Sequence, residues 1–161
     1  MLLFLVRHGS ALAEHEDPQR PLSPQGRREV TATAQYLKGT RLPIHAIFHS
    51  PKTRAVQTAV LIREIAAAPI QLSERPGMSP NDPVDELAYE VNGWEKNTMV
   101  VGHLPYLGKL ASRLLTGDQE KSFLAFQPGA VAVLERASDR QSWYLAAFMI
   151  PQLSLYDEGA A

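Results

Sequence analysis

Apolar runs alternate with helical patterns along most of the chain. Residues 2–6 are all apolar, as is typical of a strand that is covered on both faces, and shorter apolar runs predict strands at 44–48, 70–72 and 98–101. After each of these runs, apolar residues recur at three- and four-residue spacing, which predicts an amphipathic helix. The chain up to Gly117 therefore consists of successive strand–helix units.

Capping signals set the ends of the predicted helices. Ser23 and Pro24 suit the N-cap and first positions of a helix over 24–38, and Gly39 is the expected end of that helix. Similar starts are indicated by Ser50-Pro51, by Asp82 before Pro83 and by Pro105.

The last part of the chain changes to strand patterns. Residues 130–134 and 143–149 predict two strands around a polar turn at 138–140, which indicates a hairpin. Strands that alternate with helices form mainly parallel sheets with helices on both faces. We therefore expect a three-layer α/β/α sandwich, with a mainly parallel sheet and an antiparallel contribution from the C-terminal hairpin. Without a linker or an internal repeat, residues 1–161 are expected to form a single domain.

Composition narrows the classes of function. Sixteen Lys and Arg residues against seventeen Asp and Glu residues give a net charge of -1, so bulk charge does not predict a nucleic-acid or membrane partner. The sequence lacks the ~20 consecutive apolar residues of a membrane span, and we expect a cytoplasmic protein. The absence of cysteine excludes disulfides, thiolate nucleophiles and cysteine-ligated zinc. The oligomeric state is left open.

Arginine and histidine residues follow three of the predicted strands. Arg7 and His8 follow the first strand, Arg54 lies in the first turn of the helix after the second, and His103 follows the fourth. Singly, each has an ordinary explanation as a solvated or structural residue. Because the carboxyl ends of parallel strands meet at one edge of a sheet, we expect the four side chains to form one phosphate-sized pocket. Such donors suit phosphoryl transfer, in which charge on the equatorial oxygens must be stabilised.

Other catalytic sites fit the sequence less well. The histidines at 8, 15, 45, 49 and 103 form no HxH or HExxH pair, so no metal is expected. The sequence contains neither a G-x-S-x-G nucleophile motif nor a Walker-type phosphate loop. No cofactor is therefore predicted.

Three motifs in order resemble those of the histidine phosphatase superfamily, the phosphoglycerate-mutase-like proteins. They are Arg7-His8-Gly9, the segment SPKTRAVQTA at 50–59, and Gly102-His103-Leu104-Pro105. In its length and in the segment RPLSPQG at 20–26, the chain most resembles the small SixA-type phosphohistidine phosphatases of bacteria.

The resemblance implies a role for each matched residue. His8 would be the nucleophile and carry a transient phosphohistidine, Arg7 and Arg54 would clamp the phosphoryl oxygens, and His103 would complete the phosphate-binding pocket. Ser50 would cap the helix that carries Arg54. The expected substrate is a phosphohistidine-bearing protein, such as a phosphotransfer or carrier domain.

The segment before the third helix departs from the wider family. Many members have an acidic general acid there, and Asp82 is the candidate, although its place before Pro83 is better explained by helix capping. Without a general acid, a phosphate monoester would be a poor substrate, because its alkoxide leaving group must be protonated. The leaving group of phosphohistidine is imidazole, which needs less help. Short connections predict an open mouth, with Asp17 and Arg20 either at its rim or as a solvated loop pair.

Two other functions fit the same motifs. The pocket could serve a phosphatase of a small phosphorylated metabolite, or it could belong to a non-catalytic module that binds phosphate or docks a partner.

Overall fold

The computed structural model describes residues 1–41, 43–66 and 69–151. Its strands are β1 (Leu2–Arg7), β2 (Ala46–His49), β3 (Gln71–Glu74), β4 (Thr98–Gly102), β5 (Val131–Arg136) and β6 (Trp143–Met149). Its helices are α1 (Pro24–Thr40), α2 (Thr53–Ala66), α3 (Asp85–Glu90) and α4 (Tyr106–Thr116), and a 3₁₀ turn at Val91–Gly93 extends α3. The succession of strands and helices agrees with the sequence prediction.

The strands form one mixed sheet in the order β3-β2-β4-β1-β5-β6. The first four strands of the chain are parallel, through the pairs β1 with β4, β4 with β2 and β2 with β3. β5 is antiparallel to β1, and β6 is antiparallel to β5. The predicted fold class is confirmed, including the antiparallel contribution of the C-terminal hairpin.

Alternate residues of β1 face two separate parts of the core. Leu3 and Leu5 pack in the cluster that includes residues of α3 and α4, whereas Phe4 and Val6 pack in the cluster that includes residues of α1 and α2. All four side chains are fully buried. Helices on both faces therefore explain why the first strand is apolar at every position and does not alternate.

Helix α1 begins where the sequence predicts and ends two residues later. The Ser23 hydroxyl accepts a hydrogen bond from the Gly26 amide, which confirms Ser23 as the N-cap. The prediction that Gly39 ends the helix is wrong. The chain turns instead at Arg41, which takes a left-handed conformation with φ of 54° and donates its amide to the Lys38 carbonyl.

The prediction that Asp82 caps the third helix is also wrong. Helix α3 begins at Asp85 after Val84, which has no capping side chain. The Asp82 carboxylate accepts the Ser79 amide at 2.7 Å, and its own amide donates to the Ser79 carbonyl. Asp82 therefore closes a tight turn ahead of the helix, as short polar side chains often do.

Across the described residues, no helix combines the length and the apolar character that crossing a membrane requires. The prediction of a single domain over 1–161 includes 152–161, which lie outside the described residues.

Candidate active site

The carboxyl ends of β1, β4 and β2 bring the predicted site residues together. In the register of the sheet, Arg7 lies opposite Gly102, and the His8 amide donates to the Gly102 carbonyl at 3.1 Å. His8 and His103 consequently emerge side by side, and their ring centroids are 4.8 Å apart. The amide of Ser50, at the end of β2, donates to the Val101 carbonyl.

Two contacts orient the His8 ring. Nδ1 lies 2.7 Å from the Gly9 carbonyl, and because a carbonyl can only accept, Nδ1 carries the proton. Nε2 therefore carries no proton, and its lone pair accepts a hydrogen bond from the Nε–H of Arg54 at 3.2 Å. Arg54 reaches this atom from the second position of α2.

The electrostatic surroundings keep His8 neutral. The pKa of His8 is lowered from 6.5 to about 4, mainly by burial and also by the nearby charges of Arg54, Arg7 and Arg20, while the hydrogen bond to the Gly9 carbonyl opposes this lowering. A neutral imidazole with an available lone pair is a nucleophile at neutral pH.

Arg7 is fixed by the loop before β5. Its Nη1 donates to the Phe126 carbonyl at 2.7 Å, while its Nε is buried and has no hydrogen-bond partner within the described part of the chain. Burial lowers the pKa of Arg7, and the charge of Glu29 opposes this effect. The guanidinium therefore has a buried donor still available for a ligand.

His103 is buried against Ser50. Its Nε2 lies 2.8 Å from the Ser50 hydroxyl, and its Nδ1 is buried without a partner among the described residues. The pKa of His103 is lowered to about 3, mainly by burial and also by its neighbours His8, Arg54 and Lys52. The Ser50 hydroxyl accepts the Lys52 amide only at 3.4 Å, so its main partner is His103, and the interpretation of Ser50 as a helix cap needs correction.

The turn after β1 packs directly on α1. A Cβ atom at Gly9 would lie 2.5 Å from the Gly26 carbonyl oxygen, and one at Gly26 would lie 1.9 Å from the Ser10 carbonyl oxygen. Neither position has room for a side chain. The two glycines thus allow the backbone that carries His8 to contact the helix.

Glu29 supports this turn and was missed by the sequence analysis. Its carboxylate accepts the Ser10 amide at 2.8 Å and the Ser10 hydroxyl at 3.0 Å, and its residue is only 3% exposed. A sequence signal existed, because Glu29 shares a helix face with the buried residues Gly26 and Thr33. A carboxylate on a buried face requires polar partners.

The remaining residues of the 50–59 motif hold the surrounding backbone. The Thr58 hydroxyl donates to the Arg54 carbonyl at 2.8 Å and accepts the Gly9 amide at 3.3 Å. The Gln57 side chain accepts the Leu22 amide at 2.7 Å. These contacts connect α2 to both of the loops that border the pocket.

The structure separates the roles of Asp17 and Arg20. Arg20 lines an open cleft of about 330 Å³ together with Lys52 and Arg54. Asp17 closes the loop instead, because its side chain accepts the Gln19 amide and its carbonyl accepts the Arg20 amide. Asp82 forms its side-chain hydrogen bond with Ser79 and, among the described residues, none with the pocket.

The chain belongs to the histidine phosphatase superfamily. The model of branch 1 of that superfamily matches residues 3–76, which include Arg7, His8 and Arg54. An uncharacterized protein of Picosynechococcus sp. is 34% identical over 129 residues, which cover 73% of this chain and 75% of that protein.

More specific similarities are to the SixA proteins. Phosphohistidine phosphatase SixA of Escherichia coli is 27% identical over 151 residues, which cover 91% of this chain and 94% of that protein. The solved structure of the protein histidine phosphatase SixA complexed with tungstate matches with a TM-score of 0.83 and 26% identity, over 96% of this chain and 99% of that chain. The resemblance seen in the sequence is confirmed, and these similarities support a phosphatase activity.

Proposed function

We propose that this chain hydrolyses protein phosphohistidine through a covalent phosphohistidine on His8. The observation that carries the proposal is the orientation of the His8 ring. Its Nδ1–H is held by the Gly9 carbonyl, and its Nε2 lone pair faces the Arg54 guanidinium. The nucleophilic atom therefore lies beside a group that binds phosphoryl oxygens.

In the first step, the hydrogen bond of the Arg54 Nε–H passes from Nε2 to a phosphoryl oxygen, the released Nε2 lone pair forms a bond to phosphorus, and the bond from phosphorus to the substrate nitrogen breaks. The electron pair of that bond leaves on the substrate imidazole. The phosphorylated His8 ring becomes positively charged while Nδ1 keeps its proton, and the Gly9 carbonyl stabilises this charge by accepting the Nδ1–H hydrogen bond.

In the second step, water attacks the phosphorus on His8. The bond between phosphorus and Nε2 breaks, its electron pair returns to Nε2, inorganic phosphate is released, and the proton of the water passes to solvent. Neutral His8 is regenerated with Nδ1 still donating to Gly9. Covalent catalysis thus divides one difficult displacement into two easier steps.

Three side chains supply donors to the phosphoryl oxygens. Arg54 approaches from α2, the buried Nε of Arg7 comes from the end of β1, and His103 approaches from the end of β4. When the Ser50 hydroxyl donates to Nε2 of His103, the proton of His103 is on Nδ1. This Nδ1–H has no hydrogen-bond partner among the described residues and is the donor for the phosphoryl group. Donors that are already in place stabilise the transition state without reorganisation.

The choice of phosphohistidine rests on the leaving group and on the relatives. When the other ring nitrogen of the phosphohistidine is protonated, its imidazole leaves as a neutral group and needs no acid from the enzyme. The candidate general acid Asp82 forms its side-chain hydrogen bond with Ser79. The similarity to phosphohistidine phosphatase SixA points to the same class of substrate.

A comparison of substrates tests this proposal. Phosphate release is measured from a phosphohistidine-bearing carrier protein, an activated aryl phosphate, phosphoserine and sugar phosphates. We expect the first two to react far faster than the others, and Asp82→Asn to change the phosphohistidine rate little. Preferential hydrolysis of a sugar phosphate would favour the metabolite phosphatase, and no turnover of any substrate would favour the docking module. A hundredfold loss in Asp82→Asn with an intact fold would identify Asp82 as the general acid.

A further inference from the structure

The cleft beside the pocket presents several positive charges outside the phosphoryl site. Of its eight lining residues, Arg20, Lys52 and Arg54 are cationic, and Glu14 is the single carboxylate. Arg54 is engaged with His8 through its Nε, whereas Arg20 and Lys52 are exposed. Within the described ranges, neither Arg20 nor Lys52 has an ion-pair partner.

The local backbone holds Arg20 at this place. Arg20 takes a left-handed conformation with φ of 48°, which is uncommon for a residue other than glycine. Its amide donates to the Asp17 carbonyl at 2.9 Å, and its Nε contacts the Leu12 carbonyl at 3.4 Å. The Gln57 side chain fixes the end of the same loop by accepting the Leu22 amide. The loop is therefore ordered so that Arg20 borders the cleft.

Both exposed cations lie close enough to influence the pocket. The charge of Arg20 lowers the pKa values of His8 and Arg54, and the charge of Lys52 lowers the pKa of His103. The cleft thus adjoins the phosphoryl site and is continuous with it through Arg54.

We propose that Arg20 and Lys52 form a second anion-binding site, which binds a carboxylate on the protein substrate next to its phosphohistidine. This inference rests on the proposed function and adds a determinant of substrate choice. On a helical substrate segment, residues three or four positions from the phosphohistidine lie about 5–6 Å from it, so a glutamate at such a position is a suitable occupant. A small phosphate ester has no group for this site.

Matched phosphohistidine peptides test the second site. One peptide has glutamate four residues from the phosphohistidine, and the other has glutamine at that position. We expect the wild type to prefer the glutamate peptide by roughly fivefold in kcat/KM, the scale of an exposed charge pair, with the difference mainly in KM. The preference should shrink as ionic strength rises, because exposed charges are screened by salt.

Variants then assign the preference to the two cations. In Arg20→Gln combined with Lys52→Gln, the ratio of kcat/KM for the two peptides should fall to about one, whereas Lys38→Gln, an exposed lysine in the last turn of α1, should keep it. Because the ratio compares two substrates on the same variant, a general loss of activity cancels. Hydrolysis of both peptides without a wild-type preference, or a preference that survives the double substitution, overturns the second site alone. Hydrolysis of neither peptide by the wild type contradicts the proposed function and the second site together.

Discussion

At the scale of single residues, the protonation of His8 decides whether the site can act. We expect NMR titration to give a pKa of about 4, because burial and the neighbouring arginines disfavour the charged ring. His8 should therefore stay neutral and nucleophilic down to about pH 5. A measured pKa of 6.5 or above would contradict the described environment.

The same shift has a defined effect on stability. Between pH 6.5 and about 4 the unfolded chain binds a proton at His8 that the folded chain does not bind. This contribution to the free energy of unfolding is present above pH 6.5 and is lost as the pH falls toward 4. The variant His8→Asn should show a weaker loss of stability over this range in urea titrations at each pH.

Arg54 is expected to act mainly on the transition state. Arg54→Ala should lower kcat/KM by roughly a hundredfold or more, the scale for one transition-state donor, without a comparable loss in melting temperature. Arg54→Lys should recover only part of the rate, because lysine keeps the charge but lacks the Nε–H that meets His8. Arg63→Ala, in the last turn of the same helix, is the control. A loss below threefold in Arg54→Ala would indicate a solvated surface arginine.

The sequence indicates which residues lie at the pocket, but it does not indicate the hydrogen bonds that hold those residues in place. Arg7, His8 and His103 are recognisable because they follow buried strands whose carboxyl ends meet. Ser50 was assigned to a cap because the sequence does not show that His103 lies within 2.8 Å of its hydroxyl. Such contacts depend on the neighbours of each strand in the sheet, and local patterns do not contain that information.

At the scale of elements, the contact between α1 and the turn after β1 holds the backbone of His8, the proposed nucleophile. Gly26→Ala should destabilise the protein by about 1–3 kcal/mol, since the new Cβ would overlap the Ser10 carbonyl. Gly39→Ala in the same helix should stabilise it by about 0.4–1 kcal/mol, because a Cβ there meets no atom within 4 Å. Urea denaturation measures both changes. Equal effects of the two substitutions would contradict the close packing at Gly26.

Helix ends were predicted well where a side chain makes the cap. Ser23 does so at the start of α1. The prediction failed at Gly39 and Asp82, where the chain uses a left-handed arginine and a turn closed on Ser79. Gly39 and Asp82 are both residue types that often mark a helix boundary, but the tertiary structure places the end of α1 and the start of α3 a few residues later.

At the scale of the whole molecule, the sheet order determines that the site exists. β4 lies between β1 and β2, so His103 comes to lie between His8 and Ser50. The alternation of strands and helices predicted a mainly parallel sheet, but the pairing of distant strands is not encoded in any local pattern.

An oxyanion that fills the pocket should stabilise the folded protein. At a concentration near 100 times its Kd, tungstate should contribute about 2.7 kcal/mol, which corresponds to a rise of roughly 5–10 °C in melting temperature. Arg54→Ala should show a smaller rise.

Dialysis against a chelator should leave activity unchanged, because side chains neutralise the phosphoryl group in the proposed mechanism. Activity that returns only with a divalent cation would contradict this mechanism.

The most direct test of the account is to trap the phosphorylated enzyme. The protein is mixed with a phosphohistidine substrate that carries labelled phosphate, quenched rapidly in alkali, in which phosphohistidine survives, and mapped by mass spectrometry. The account predicts label on His8 at Nε2, and neither label nor turnover in a folded His8→Ala variant. Full turnover by His8→Ala, or label on another residue with His8 unmodified, would contradict it.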